Sequence, residues 1–190
     1  MVKTKYIRRH YIENAVKKFK PAGKCLEIGS GKKWKYYAES VTLNRDPSAE
    51  PDIISDAENM DFQDGEFQSV VCLEVIEHTT SPEKLISEIY RVLEPHGSLL
   101  LTVPFVFEIH DKYDYYRFTR QGLAYLFRDF TSVEITPNGG KFCVIFHFFR
   151  LGIIGRFFYP FLNNMGYFLD KLFNTGEPRI TLGYTLVAIK

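Results

Sequence analysis

The chain has 190 residues, 45% hydrophobic and 16% aromatic, with 24 Lys and Arg against 23 Asp and Glu for a formal charge of +1. This apolar content excludes a disordered chain, and the even charge balance excludes the basic stripe of a typical nucleic-acid binder. Cys25, Cys72 and Cys143 have no metal-type spacing and are odd in number, which argues against a disulfide framework and fits a reducing cytoplasm.

The length favours one domain over residues 1–190. Residues 6–19 read as a helix, because Ile7, Tyr11, Ile12, Ala15, Val16 and Phe19 recur at helical spacing. The N-terminus is polar and basic, without the apolar core of a signal peptide. Pro21 and Gly23 stop the helix. "KCLEIGSG" then predicts a short buried strand entering a glycine turn. "VTLNRD", 41–46, and "DIIS", 52–55, predict a second and a third strand, and "SVVCL", 69–73, a fourth buried on both faces.

"SPEKLISEIYRVLEPHG" predicts a helix with Ser81 as N-cap, Pro82 at the first position and Leu85, Ile89, Val92 and Leu93 as its buried stripe. Pro95 and Gly97 end it. "SLLLTVP" is a fifth strand, residues 121–130 a helix, and 132–136 another strand. Residues 139–178 form an aromatic-rich helical segment before a final strand at 180–190. The charges within 142–173 leave no clean run of ~20 apolar residues, so no transmembrane helix is expected.

Strands alternating with helices predict an α/β architecture with a mostly parallel sheet, whose ligand site lies beyond the carboxyl ends of the strands. Gly29 and Gly31 open the first turn, but Trp34 stands where a dinucleotide fingerprint has its third glycine. Glu27 is ill placed for a pyrophosphate and suits an ammonium group. Asp46, ending the second strand, suits ribose hydroxyls, and Asp56, after the third, suits an adenine amine. Ammonium, ribose and adenine in that order describe S-adenosylmethionine (SAM).

From Lys24 to Phe130 the chain resembles the class I SAM-dependent methyltransferases, type 11 group. "CLEIGSG" looks like their first motif, "DIISDAENMDFQDGEFQSVVCLEVIEH" their acidic and central-strand stretch, and "EIYRVLEPHGSLLLTVP" their helix–turn–strand. The resemblance implies a Rossmann-like seven-stranded, mostly parallel sheet with helices on both faces and an antiparallel last strand. It assigns Glu27, Gly29 and Gly31 to the methionine end of SAM, with Ile28 and Ser30 also in the cofactor site, and Asp46 to the ribose. Asp56 and Ala57 go to the adenine, and Leu73 and Glu74 to the adenosine or sulfonium side. Lys33 and His96 stand where the family often has glycine, and with only residues 32–40 before the second strand the first crossover helix must be short.

"EVIEH" has two readings. In one, Glu74 and His78 shape the cofactor pocket and Glu77 caps the turn. In the other, a helical turn puts Glu74, Glu77 and His78 on one face and, with His110 beyond the fifth strand, they hold a divalent metal. That pattern is similar to small-RNA 3′-end 2′-O-methyltransferases and some quinone-pathway O-methyltransferases. His78 and His110 are the candidate catalytic residues, and Tyr113 a candidate acceptor contact.

The function expected is methyl transfer to an oxygen or nitrogen of a small, hydrophobic acceptor. The alternatives are a metal-assisted RNA 2′-O-methyltransferase, a non-catalytic cofactor-binding scaffold and, last, a nicotinamide-dependent dehydrogenase. The segment 141–173, with Phe142, Phe146, Phe149, Ile153, Phe157 and Phe161, is read as core or homodimer interface, as an acceptor pocket or as an interfacial membrane contact.

Overall fold

The computed structural model describes residues 7–149, 153–173 and 178–190. Of the expected elements, residues 1–6, 150–152 and 174–177 lie outside the described residues, as do the side chains of Ile153 and Phe157. The chain runs α1 (Ile7–Lys18), β1 (Cys25–Ile28), β2 (Val41–Asn44), β3 (Ile53–Ile54), β4 (Phe67–Leu73), α2 (Pro82–Val92) and β5 (Leu93–Pro104). It continues with α3 (Arg120–Leu126), β6 (Ser132–Pro137), α4 (Lys141–Phe149), α5 (Ile153–Leu172) and β7 (Gly183–Ile189).

The strands form one seven-stranded sheet in the order β3-β2-β1-β4-β5-β7-β6. The five strands from β3 to β5 are mutually parallel, and β7 runs antiparallel to both β5 and β6. The seven strands and the antiparallel last strand are as expected.

Burial on both faces explains the unbroken apolar runs of the central strands. Val70 and Cys72 of β4 pack into the core under α2 and α3, together with Leu26, Leu99, Ile89 and Phe127. Val71, pointing the other way, packs with Cys25, Leu100 and Phe19 beside α1. Alternation sends successive side chains to opposite faces, so both must be apolar. Glu27 shares the face of Cys25 and is the polar exception there, 1% exposed.

Several boundaries differ from expectation: α3 stops at Leu126 and not at residue 130, and the final strand begins at Gly183 and not at residue 180. The helix of 82–92 stops at Val92, and Leu93 to Gly97 begin β5 instead of ending the helix. Leu93 pairs with Phe67, and its backbone is already extended. His96 takes the left-handed conformation, φ 66°. This explains why glycine is usual there, since a side chain in that region costs ~1–2 kcal/mol. The first crossover is shorter than a helix, a single 3₁₀ turn at Lys32–Trp34.

The segment after β3 is clamped along α2. Ser81 occupies the N-cap position without a side-chain cap bond. Glu58 acts there instead, accepting the N–H of Thr80 at 2.7 Å and of Ser81 at 3.3 Å. At the other end Arg91 donates to the carbonyls of Met60 and Phe62 at 2.9 and 2.7 Å, and to Glu88 and Asp64. Glu88 in turn accepts the Met60 N–H.

The hydrogen bonds from Arg91 hold the Glu88 carboxyl below its ordinary 4.5. A depressed carboxylate stabilises the fold above its unfolded pKa, and that stability is lost as pH falls through the folded value. Urea unfolding will therefore show Arg91→Ala less stable by about 2–3 kcal/mol at pH 7. The stability of Glu88→Gln will fall less than that of the unchanged chain when pH drops below 4.5.

Candidate functional site

Strand order reverses between β1 and β4, and their carboxyl ends part to leave a crevice. The cavity there measures about 260 Å³. Ile28 and Gly29 line it from β1, Leu43, Asn44 and Arg45 from β2, and Ser55 to Glu58 from the segment after β3. Glu74, Val75, His78 and Thr79 line it from the turn after β4, and Asp111 from the loop after β5.

Of the residues expected from the sequence, Ile28, Gly29, Asp56, Ala57, Glu74 and His78 meet around this cavity, whereas Glu27, Ser30, Gly31, Asp46 and Leu73 do not line it. Gly29 has φ 75°, and a Cβ there would lie 2.3 Å from Val75 Cγ2. Gly31 is extended, with φ −167°. Its need for glycine is steric, because a Cβ would meet the Ala49 carbonyl oxygen at 2.1 Å. Both glycines thus admit neighbouring parts of the chain itself.

Glu27 is engaged within the fold. Its carboxylate accepts the N–H groups of Tyr36 and Tyr37 and the Ser40 hydroxyl, at 2.6–3.1 Å. It thereby organises the connection to β2. The Ser30 hydroxyl donates to the Trp34 carbonyl at 2.9 Å. Asp46 caps the 3₁₀ turn at Pro47–Ala49, accepting from the Ser48 N–H and hydroxyl at 2.8 Å each. Asn44 and Arg45, passed over in the sequence in favour of the acid beside them, are the lining residues at this strand end. Their signal was position: the last residue of a parallel strand and the first beyond it face the crevice.

The turn after β4 divides its acidic pair. Glu74 has φ 58°, and its N–H donates to the Thr102 carbonyl. Residues 76–78 form a 3₁₀ turn. The expectation of one helical face for Glu74, Glu77 and His78 is therefore corrected: the left-handed residue turns the Glu74 side chain away. Glu74 instead pairs with Arg8 of α1, whose guanidinium lies 3.8 Å from the centre of the Phe107 ring.

Glu77 is fully buried, and neither carboxylate oxygen has a hydrogen-bond partner among the described residues, so it does not cap the turn. Burial, followed by the charge of Glu74, pushes its pKa well above 4.5. The backbone carbonyl of Glu77 accepts the N–H groups of Tyr115 and Tyr116 at 2.8 and 3.3 Å. That bond brings His110 alongside. The His78 and His110 rings are 5.0 Å apart, and one ligand atom each from Glu77, His78 and His110 falls within 4.8 Å of the others.

Both imidazoles are oriented. His78 Nδ1 lies 3.1 Å from the Tyr113 carbonyl, which can only accept, so Nδ1 carries the proton and Nε2 faces Glu77 at 3.7 Å. His110 Nδ1 lies 3.1 Å from Asp114. Hydrogen bonds from Arg117 hold the Asp114 carboxyl down to about 2. Arg117 also donates to the Glu108 carbonyl at 3.3 Å, so it tethers this loop. Tyr113 stands at the edge under Arg45, whose guanidinium is 5.3 Å from the ring centre.

Residues 27–101 match the type 11 methyltransferase family, described as a methyltransferase domain. Among solved structures, a SAM-dependent methyltransferase from Thermotoga maritima superposes with a TM-score of 0.64 at 16% identity, covering 97% of this chain and 91% of that one. A SAM-dependent methyltransferase from Archaeoglobus fulgidus gives 0.63 at 14%, covering 98% and 95%. Phosphoethanolamine N-methyltransferase 2 from Haemonchus contortus, solved with phosphomonomethylethanolamine and S-adenosylhomocysteine, gives 0.59 at 16%, covering 95% of this chain and 53% of that one. At these identities the structures speak for the fold. No curated protein matches the sequence.

Gly29→Ala and Gly31→Ala will each cost about 2–4 kcal/mol in urea unfolding, the first through its left-handed backbone and the second through its contact with Ala49. Gly122→Ala is the control, because its Cβ would meet nothing closer than Thr119 Oγ1 at 3.4 Å within α3. It should be neutral or stabilising by up to about 1 kcal/mol. Unchanged stability in Gly29→Ala would refute the close approach of Val75.

Proposed function

We propose that this chain, a class I methyltransferase of the type 11 group by its fold and its residues 27–101, moves a methyl group from SAM to an oxygen or nitrogen of a small molecule. The observation that carries the reading is the ordered lining of one crevice: Gly29 after β1, Asn44 and Arg45 after β2, Asp56 and Ala57 after β3, and Glu74 after β4. Polar side chains at three of these strand ends, with a glycine at the fourth, suit a long ligand with a base at one end and a cation at the other. Asp56 and Ala57 would hold the adenine, with Asn44 and Arg45 beside the ribose, since the Asp46 carboxylate is engaged by Ser48. The Glu74 carboxylate would face the sulfonium side. When bound, SAM supplies an electrophilic methyl group, and the protein's task is orientation.

His78 and His110 sit where an acceptor would lie, each with Nδ1 fixed by a carbonyl or a carboxylate. Either Nε2 can take the proton an acceptor hydroxyl or ammonium must lose. The even charge balance favours a small acceptor over RNA.

A second reading is favoured by one observation, the buried Glu77 carboxylate without hydrogen-bond donors among the described residues. A carboxylate in that position is costly unless paired. We infer that Glu77, His78 and His110 hold a divalent cation of the manganese or zinc kind, for which one carboxylate and two imidazoles are a fitting donor set. Such a cation would supply Lewis acidity toward an acceptor oxygen. Glu74 is not part of this set, because Arg8 engages it.

Titration calorimetry with SAM and S-adenosylhomocysteine will show binding within the ~1 μM–1 mM range of ordinary substrates. Absence of heat with both ligands would overturn the methyl-transfer reading. For the metal, Mn²⁺ at about one hundred times its Kd will raise Tm by roughly 5–10 °C, reversibly with EDTA. Glu77→Gln and His110→Ala will lose that shift and keep S-adenosylhomocysteine affinity. An unshifted Tm in the unchanged chain would count against the metal.

A further inference from the structure

The hairpin of α4 and α5 is amphipathic in the inverted sense. Its inward side buries His147, Tyr159 and Asn163 along with Cys143 and Val144. Its outward side carries Phe148 and Phe149 on α4, and Phe158, Phe161, Phe168 and Leu172 on α5, each 45–65% exposed. The α5 residues recur at helical spacing and mark one continuous stripe. Helices of water-soluble proteins put such a stripe inward. Here six large apolar side chains face out while polar ones are packed beneath.

The charges of the hairpin say what the stripe faces. The sequence from Lys141 to Phe173 holds Lys141, Arg150, Arg156 and Lys171 against a single acid, Asp170. Asp170 is turned inward, where it accepts the N–H groups of Gly140, Phe142 and Cys143 at 2.7–3.0 Å and caps α4. Lys141 and Lys171 are exposed, each with its ammonium about 5.1 Å from an aromatic ring of the hairpin. An aromatic stripe on helices that also expose Lys141 and Lys171, with their one acid withdrawn, is complementary to an anionic lipid surface. Two copies packed face to face through the stripe would instead bring like charges together. No helix among the described residues is long and apolar enough to cross a membrane, so any bilayer contact of the stripe would run along the surface.

We propose that the outward face of α4 and α5 docks on anionic membrane surfaces. This rests on the hairpin alone and not on the methyl-transfer reading. His147 ties the hairpin to the loop that carries His110: its Nε2 lies 2.7 Å from Glu108 and its ring 5.0 Å from that of Phe107. An acceptor drawn from the bilayer would then be amphiphilic.

The test is co-sedimentation of the full chain with vesicles of phosphatidylcholine alone, or of phosphatidylcholine with phosphatidylglycerol. The chain should pellet with the anionic vesicles and be released by salt. Phe161→Ser combined with Phe168→Ser should weaken binding about tenfold or more, as should Lys141→Glu combined with Lys171→Glu. All four positions are on the surface, so both variants should keep the melting temperature of the unchanged chain. A folded chain that stays in the supernatant with anionic vesicles overturns the proposal. So does a dimer in sedimentation velocity that the phenylalanine variant dissolves while vesicle binding is unaffected, since that assigns the face to a second copy.

Discussion

A parallel strand cannot return directly to its neighbour; it must cross over one face of the sheet and start again from the same end. Every crossover here obeys that constraint, and its consequence is that the carboxyl ends of β1, β2, β3, β4 and β5 gather along one edge. The crossover from β1 leads to β2 on one side, whereas β4 lies on the other. The crevice between them is where turns can carry polar groups without disturbing either core. The polar lining of the cavity follows from this topology, and so does the continuous apolar character of the strands beneath it.

The turn after β4 joins the most parts of the molecule. One residue in the left-handed conformation, Glu74, separates two carboxylates that are near neighbours in sequence. The first turns to Arg8 and draws in the N-terminal helix. The second is buried beside two imidazoles, and its backbone carbonyl anchors the loop at Tyr115 and Tyr116. That loop ends in the Arg117–Asp114 pair at its base and reaches α4 through Glu108. Three distant stretches of chain thus converge on a few residues, and the field at the site is set by all three.

Several sequence signals were right in kind and displaced in role. Gly29 and Gly31 suggested close approach, and close approach is what they permit, but of Val75 and Ala49. Glu27 stood out as a carboxylate in a buried strand, and its partners are backbone N–H groups of the following connection. The helix of 82–92 was readable from its apolar stripe, while its end was not. Leu93 fits that stripe equally well, and only pairing with Phe67 commits it to β5. Asn44 and Arg45 escaped notice because nothing in their types marks them; their position beyond a strand end does.

Periodicity, glycine and proline placement, and the order of acidic residues are local properties, and they suffice for the existence of the strands and helices and for the edge at which the crevice opens. By itself the sequence therefore determined the parallel α/β architecture and pointed to the carboxyl ends of its strands, where the crevice opens. Which side chains meet there was decided by tertiary structure. The Arg8–Glu74 pair, the approach of His110 to His78 and the outward stripe of α4 and α5 depend on backbone angles and crossings between segments remote in the chain. Local sequence carries no record of those distances, because each is fixed by packing of the whole sheet and its helices.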